Sequence, residues 1–305
     1  QENTPNVRVP SRVNLQSFFA RANFTIADKY ILTASLRRDG TSRFTEENRW
    51  ANFPAFAVAW KINDENFLKD VEVVSTLKLR GGWGITGQQD IGGDGFPSLP
   101  LYSVSNISGQ YPFGNVYYPT YRPQPYNLDL KWEETTTINA GIDFGFLNNR
   151  ITGTVDVYQR DTKDLIFPLR PAATQPGPNS NKFENLKGNL INKGFEVGLS
   201  YKVIDTDNIQ WNIAANASFL SNELKNFPVD VNAGGINGQG LTGAYAQVIK
   251  SGYPIYTYFM YEFKGYDASG NSIYTDADGN DSGLGLATRK YLDKQPLPKI
   301  NLGFS

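Results

Sequence analysis

An all-β fold with strands long enough to cross a bilayer is what this 305-residue sequence predicts, and three observations predict it. The first is alternation. From Thr135 to Phe146, the apolar residues Ile138, Ala140, Ile142, Phe144 and Phe146 interleave with Thr137, Asn139, Gly141, Asp143 and Gly145. After Asn148-Asn149 the pattern resumes, with Ile151, Val155 and Val157 against Thr152, Thr154 and Asp156. Period-two alternation describes a strand with one greasy face and one polar face. The second is length. Each run is about ten residues, which a tilted strand needs to span a hydrocarbon layer, whereas a soluble strand averages about five or six. The third is the connections. They are short after Ile26, Phe146 and Val203, medium after Ile62, and long after Arg38, Trp83, Arg160 and Leu220. An up-and-down membrane barrel sorts its loops by parity in this way, and a soluble sandwich has no reason to.

The elements follow in order. Strand one covers Ser17 to Ile26, with Phe18, Ala20, Ala22, Phe24 and Ile26 on one face. Ala27-Asp28-Lys29 turns the chain into strand two, Tyr30 to Arg38, whose apolar face is Tyr30, Leu32, Ala34 and Leu36. A charged loop, Asp39 to Arg49, precedes strand three, about Asn52 to Ile62. Asp64 to Asp70 reads as one or two helical turns with Asp64 as N-cap. Strand four is Thr76 to Trp83, followed by a long irregular stretch from Gly84 to about Asp129. Strands five and six are the alternating pair, and a second long loop covers Asp161 to Leu190. Strand seven is Gly194 to Val203 and strand eight Ile209 to Leu220. Tyr253 to Tyr266 is the place for a ninth strand, and Lys299 to Ser305 begins another. Tyr30, Trp60, Trp132, Tyr158, Tyr201 and Trp211 lie near strand ends, where membrane barrels carry aromatic girdles.

Composition narrows the function. Charges are balanced, 29 basic against 30 acidic, so there is no electrostatic footprint for nucleic acid. With no His and no Cys, the chain has no disulfides, no thiolate metal site and no His-based nucleophilic mechanism. No paired-carboxylate motif stands out, so no catalytic residues are assigned and no enzyme is expected. The longest apolar run, Ala55–Trp60, is far too short for a transmembrane helix. Gln1 to Pro5 shows no basic-plus-apolar signal segment, which implies a removed signal or a start inside a longer protein.

Particular residues carry a family likeness. Ala20-Arg21-Ala22-Asn23-Phe24, Asp28 through Phe44, Asn48-Arg49-Trp50, Phe53-Pro54, Leu77-Lys78-Leu79-Arg80 and Gly84-Ile85-Thr86-Gly87-Gln88 resemble the barrel of SusC/RagA-type TonB-dependent outer-membrane transporters of Bacteroidetes. Lys131-Trp132-Glu133-Glu134-Thr135, Asp156 through Arg160, Asn192 through Glu196 and Pro296 through Lys299 continue the likeness in order. The resemblance implies that residues 1–305 are a C-terminal portion of such a barrel, about 9–10 strands out of roughly 22 around a plugged lumen, with plug and N-terminal domains absent. It implies import of a glycan or oligopeptide, a SusD-like surface lipoprotein as partner, TonB acting through the plug, and contact with outer-membrane lipid.

Three sets of candidate residues emerge. In the loop Gly84–Asp129, Tyr102, Tyr111, Phe113, Tyr117, Tyr118 and Tyr121 suit stacking on a sugar or gripping a peptide; packing of the loop against itself is the competing role. Arg80, Asn139, Asp143 and Asp156 are expected to face the lumen, while Arg37, Arg38, Asp39, Arg43 and Arg49 read as solvated ion pairs at the rim. Asp276, Asp278 and Asn280 make a partial Ca²⁺ pattern, although its Gly falls one place early and Ala287 stands where a bidentate Glu belongs. No other cofactor is expected. A soluble secreted glycan-binding β-protein and a passive porin are the alternative functions.

Overall fold

The computed structural model describes residues 12–91, 95–104, 109–169, 181–228, 231–232, 246–292 and 295–305. Nine strands form one antiparallel sheet in chain order: β1 (Leu15–Ile26), β2 (Tyr30–Thr41), β3 (Trp50–Lys61), β4 (Val74–Gln88), β5 (Glu133–Phe146), β6 (Ile151–Leu169), β7 (Lys182–Asp205), β8 (Gln210–Lys225) and β9 (Ile300–Phe304). Each strand pairs with its sequence neighbours, and β1 and β9 stand at the two edges. The connections 27–29, 147–150 and 206–209, each of three or four residues, and the medium one, 62–73, lie at one end. The connections 42–49, 89–132, 170–181 and 226–299 join the strands at the other, and two of these four, 89–132 and 226–299, are longer than any at the first end.

Register joins the alternation of each strand into rows. Phe24, Leu32, Val58, Gly81, Ala140, Val157, Phe195, Phe219 and Ile300 sit opposite one another across all nine strands. The next row is Thr25, Ile31, Ala59, Arg80, Gly141, Asp156, Glu196, Ser218 and Asn301. Since a one-residue slip would swap the faces, this register fixes an apolar face and a polar face over the whole sheet. Among the described residues nothing covers the apolar face: Phe24, Val58, Val157, Phe195, Phe219 and Ile300 are 40–58% exposed. So large a continuous apolar surface is not kept in water by a soluble protein, which disfavours the sandwich alternative.

The buried residues lie elsewhere, in two clusters at the long-loop end. Phe44, Phe53, Leu130 and Trp132 form one. Leu186, Leu224, Phe227 and Ile249 form the other. Hydrogen bonds fasten the loops around the first: Ser98 Oγ donates to the Arg43 carbonyl (2.6 Å), Trp132 Nε1 to the Arg49 carbonyl (3.0 Å) and Asn127 Nδ2 to the Phe183 carbonyl (3.1 Å). Hence Trp132, expected in a girdle, is a core residue. Tyr158 also leaves the girdle, because register places it on the polar face between Asn139 and Gly194.

Several boundaries differ from expectation. β6 continues to Leu169, through a bulge at Lys163/Leu165, and β7 starts at Lys182, so much of the expected loop 161–190 is a strand pair. These extensions carry Lys, Asp and Asn on both faces and give no alternation signal. The helical turns expected at 64–70 reduce to a single 3₁₀ turn, Ile62–Asp64, with Lys61 as N-cap and no side-chain cap. The Tyr-rich ninth strand is two short strands, Thr257–Tyr261 and Phe263–Tyr266, in two small separate sheets.

Candidate functional site

The polar face brings together the charged residues expected there. Arg80 on β4 sits beside Asp143 on β5 (2.7 Å) and Asp156 on β6 (2.9 Å), and Lys78 also reaches Asp143 (3.1 Å). Gly141 lies under this network; a Cβ there would stand 2.9 Å from Arg80 Nη2 and closer still to Asp156. Asn139 shares the face, opposite Gly82. A hollow of about 520 Å³ opens beside these residues, lined among others by Arg21, Thr33, Ala55, Ala57, Lys78 and Arg80. With charges of both signs paired, this wall can hold water and polar solutes without a strong field of either sign.

The six loop aromatics project outward. Tyr111–Phe113 and Val116–Tyr118 form a hairpin with Tyr111 opposite Tyr118 and Pro112 opposite Tyr117. Tyr102–Val104 pairs with Tyr121–Pro123. Tyr102, Tyr111, Phe113, Tyr117, Tyr118 and Tyr121 are 50–70% exposed, and Phe113 and Tyr118 meet edge-on at 6.5 Å. Among the described residues these rings do not form a buried loop core, which is instead made by Phe44, Phe53, Leu130 and Trp132.

The family description "TonB dependent receptor-like, beta-barrel" matches residues 2–296. The chain belongs to that family. It is 42% identical over 97% of its length to the TonB-dependent receptor SusC of Bacteroides thetaiotaomicron, and 31% identical, again over 97%, to TonB-dependent receptor P3 of Formosa agariphila. It covers 30% of each of these relatives. Among solved structures it is similar to the RagAB peptide importer in the 'closed-closed' state, with 25% identity, a TM-score of 0.77, and coverage of 95% of this chain and 31% of that one. The RagAB peptide transporter shares the fold at a TM-score of 0.79 and 24% identity, with 96% and 31% coverage. The chain is therefore outer-membrane barrel wall from a family of receptors and not enzymes.

In a TonB-dependent barrel the short turns are periplasmic and the long loops extracellular. The receptor's periplasmic corner is closed by Glu65. Its carboxylate accepts from Lys29 Nζ (2.9 Å), Tyr30 OH (2.7 Å) and Trp60 Nε1 (3.0 Å). The Lys29, Tyr30 and Trp60 donors hold this carboxyl at about 2, well below its ordinary value. Tyr30 and Trp60 stack at 6.3 Å on the apolar face, with Tyr201 and Trp211 further along that rim. At the extracellular rim Phe18 stacks on Trp50 at 6.1 Å, and Arg38 lies over Trp50 at 5.5 Å. Sequence reasoning missed Glu65, because its three donors come from two strands and a turn that only the fold brings together.

The acidic loop is a repeated turn. Asp276 Oδ1 accepts the N–H groups of Asp278 (3.0 Å) and Asn280 (2.8 Å). Asp267, nine positions earlier in the similar run Asp267-Ala-Ser-Gly-Asn271, does the same with Ser269 (2.9 Å) and Asn271 (2.8 Å). Hydrogen bonds, led by those from Asn271 and Asn280 respectively, lower both carboxyls below the ordinary aspartate value. Turn chemistry accounts for the residue pattern in both hairpins. Among the described residues no group of three or more Asp, Glu, His or Cys is placed to hold a metal ion.

Proposed function

We propose that the full-length receptor imports a nutrient, a glycan or an oligopeptide, across the outer membrane with energy delivered by TonB. The observation that carries this reading is the 42% identity to SusC over 97% of the chain. The geometry is consistent with it. An uncovered apolar face suits lipid, and a polar face built on Arg80, Asn139, Asp143 and Asp156 suits an aqueous lumen. In this reading a SusD-like lipoprotein closes over the extracellular loops, where the exposed rings of Tyr102, Tyr111, Phe113, Tyr117, Tyr118 and Tyr121 offer flat apolar faces, and the five tyrosines add hydroxyls, for substrate. TonB then acts through a plug, and substrate passes along the polar wall with no bond made or broken.

The test is uptake of labelled oligosaccharides and oligopeptides by cells carrying or lacking the receptor, with and without a proton-motive force. Accumulation of one class that needs both the receptor and the force is expected. Receptor-dependent uptake that persists after the force collapses would point to a passive porin, and uptake indifferent to the receptor would end the import reading.

A further inference from the structure

The arginines of the extracellular loop 42–49 are not the solvated pairs expected from sequence. The Arg43 side chain is only 10% exposed. Its Nε and Nη1 are buried and make no hydrogen bond among the described residues, and Arg49 Nε is in the same condition. The carboxylate nearest to Arg43 among the described residues is Asp90, whose Oδ1 stands 3.6 Å from Nη1, beyond hydrogen-bond distance, on a side chain 60% exposed.

The surroundings are built rather than loose. The Arg43 N–H donates to Thr41 Oγ1 (3.3 Å), and its carbonyl accepts from the fully buried Ser98 (2.6 Å). The Thr41 N–H donates to the Arg49 carbonyl (3.2 Å), tying the two ends of the loop together. Phe44, the next residue, is 1% exposed in the loop core. The backbone thus holds a guanidinium in a dry place with most of its donors unused. A buried cation is retained where an anion meets it. The planar fork of Arg matches a carboxylate, which can take two of its N–H groups at once.

We propose that Arg43, with Arg49 on the same loop, is the cationic half of a site that takes a carboxylate other than Asp90. Two sources share this chemistry: a carboxylate-bearing substrate, such as an acidic sugar or a peptide C-terminus, and an acidic side chain from another segment of the receptor. The inference does not rest on energy-coupled import, because its readout is melting of the purified receptor and not uptake.

The discriminating variant is Arg43→Met in the full-length receptor, read as the temperature at which its folded, fast-migrating form is lost on a gel. If no carboxylate meets Arg43, Met removes an unpaired buried charge and the melting temperature is unchanged or higher. If one does, Met leaves that carboxylate stranded and the temperature drops, with Arg43→Lys recovering part of the loss. A drop, either in the receptor alone or only in the presence of added ligand, is expected; a Met variant that melts no lower than the parent both with and without ligand overturns the proposal. Asp90→Asn is the control, and its reproducing the whole drop, with no further loss on combination with Arg43→Met, also overturns the proposal. The source is read by adding galacturonate oligomers or a mixed tripeptide pool. If the carboxylate comes from substrate, added ligand raises the melting temperature of the parent, and the Met variant loses that rise. If it belongs to the receptor, Met lowers the temperature by the same amount with and without ligand.

Discussion

Along β7, Phe195, Leu199 and Tyr201 are 40–48% exposed, while Leu186, earlier on the same strand, is 6% exposed against Leu224, Phe227 and Ile249. The two stretches obey different rules. In the membrane band the apolar side chains stand exposed and, among the described residues, meet neighbours on the same face, as Phe195 meets Phe219 at 6.0 Å, so the environment they suit is lipid. At the extracellular end the apolar side chains point to the polar-face side of the sheet and meet loop residues. Alternation survives in the first region because one face is uniformly apolar. It breaks down in the second, where polar rungs such as Asn189, Asn192 and Lys193 pair across β6–β8 while the loops supply the core. A strand can therefore be equally regular in backbone and entirely different in what holds it.

Substitutions at the two regions should separate them. The largest effect is expected from Leu224→Ala, which empties a fully buried site and costs about 2–5 kcal/mol. The damage should stay in the loops: protease should cut within 226–299 while the receptor still assembles in the membrane. Resistance equal to the parent would show that this cluster carries no stability. Next comes Ile142→Arg on the lipid side, at about 2–4 kcal/mol near the bilayer midplane. Here assembly itself should fail, seen as loss of the heat-resistant form, whereas Ile142→Phe should assemble normally.

Asp143→Ala, one residue along and on the opposite face, should cost no more than about 1 kcal/mol, because partly exposed ion pairs contribute little and Arg80 keeps Asp156 as a partner. An effect as large as that of Ile142→Arg would contradict the assignment of faces. The smallest effect concerns Glu65. Its folded-state carboxyl lies at about 2 against an ordinary 4.5. The stabilisation it adds is fully present above the ordinary value and is lost as pH falls through about 2. The melting temperature should fall more steeply between those values in the parent than in Glu65→Gln, and parallel curves would remove Glu65 from the account.

Much of this was legible in the residues. Ile138 to Phe146 and Ile151 to Val157 gave strand, face and hairpin, since period two is the direct imprint of a half-apolar strand. Asn148 and Asn149 marked the turn, and both adopt the left-handed backbone that Asn tolerates, at φ 57°. The likeness of Arg80, Asp143 and Asp156 in parity placed them on one face, and register brought them together. What stayed hidden depends on contacts distant in sequence. Trp132 is buried because Phe44 and Phe53, about eighty positions earlier, pack edge-on against it at 5.8 and 5.5 Å. Arg43 is dry because Ser98 and the loop core close around it. No local pattern of charges distinguishes such an arginine from its solvated neighbour Arg37, which pairs with Asp39 at 2.7 Å.

The central claim is that one face of the sheet meets lipid and the other an aqueous interior. Residues 1–305 contain no cysteine, so single cysteines can be placed in turn at positions 138 to 146 of the full-length receptor, spin-labelled in native membranes, and probed for collision with oxygen and with a water-soluble nickel chelate. Positions 138, 140, 142, 144 and 146 are predicted to favour oxygen and positions 139, 141, 143 and 145 to favour the chelate or to be shielded from both. Equal oxygen access along the run, or a period other than two, would contradict the account.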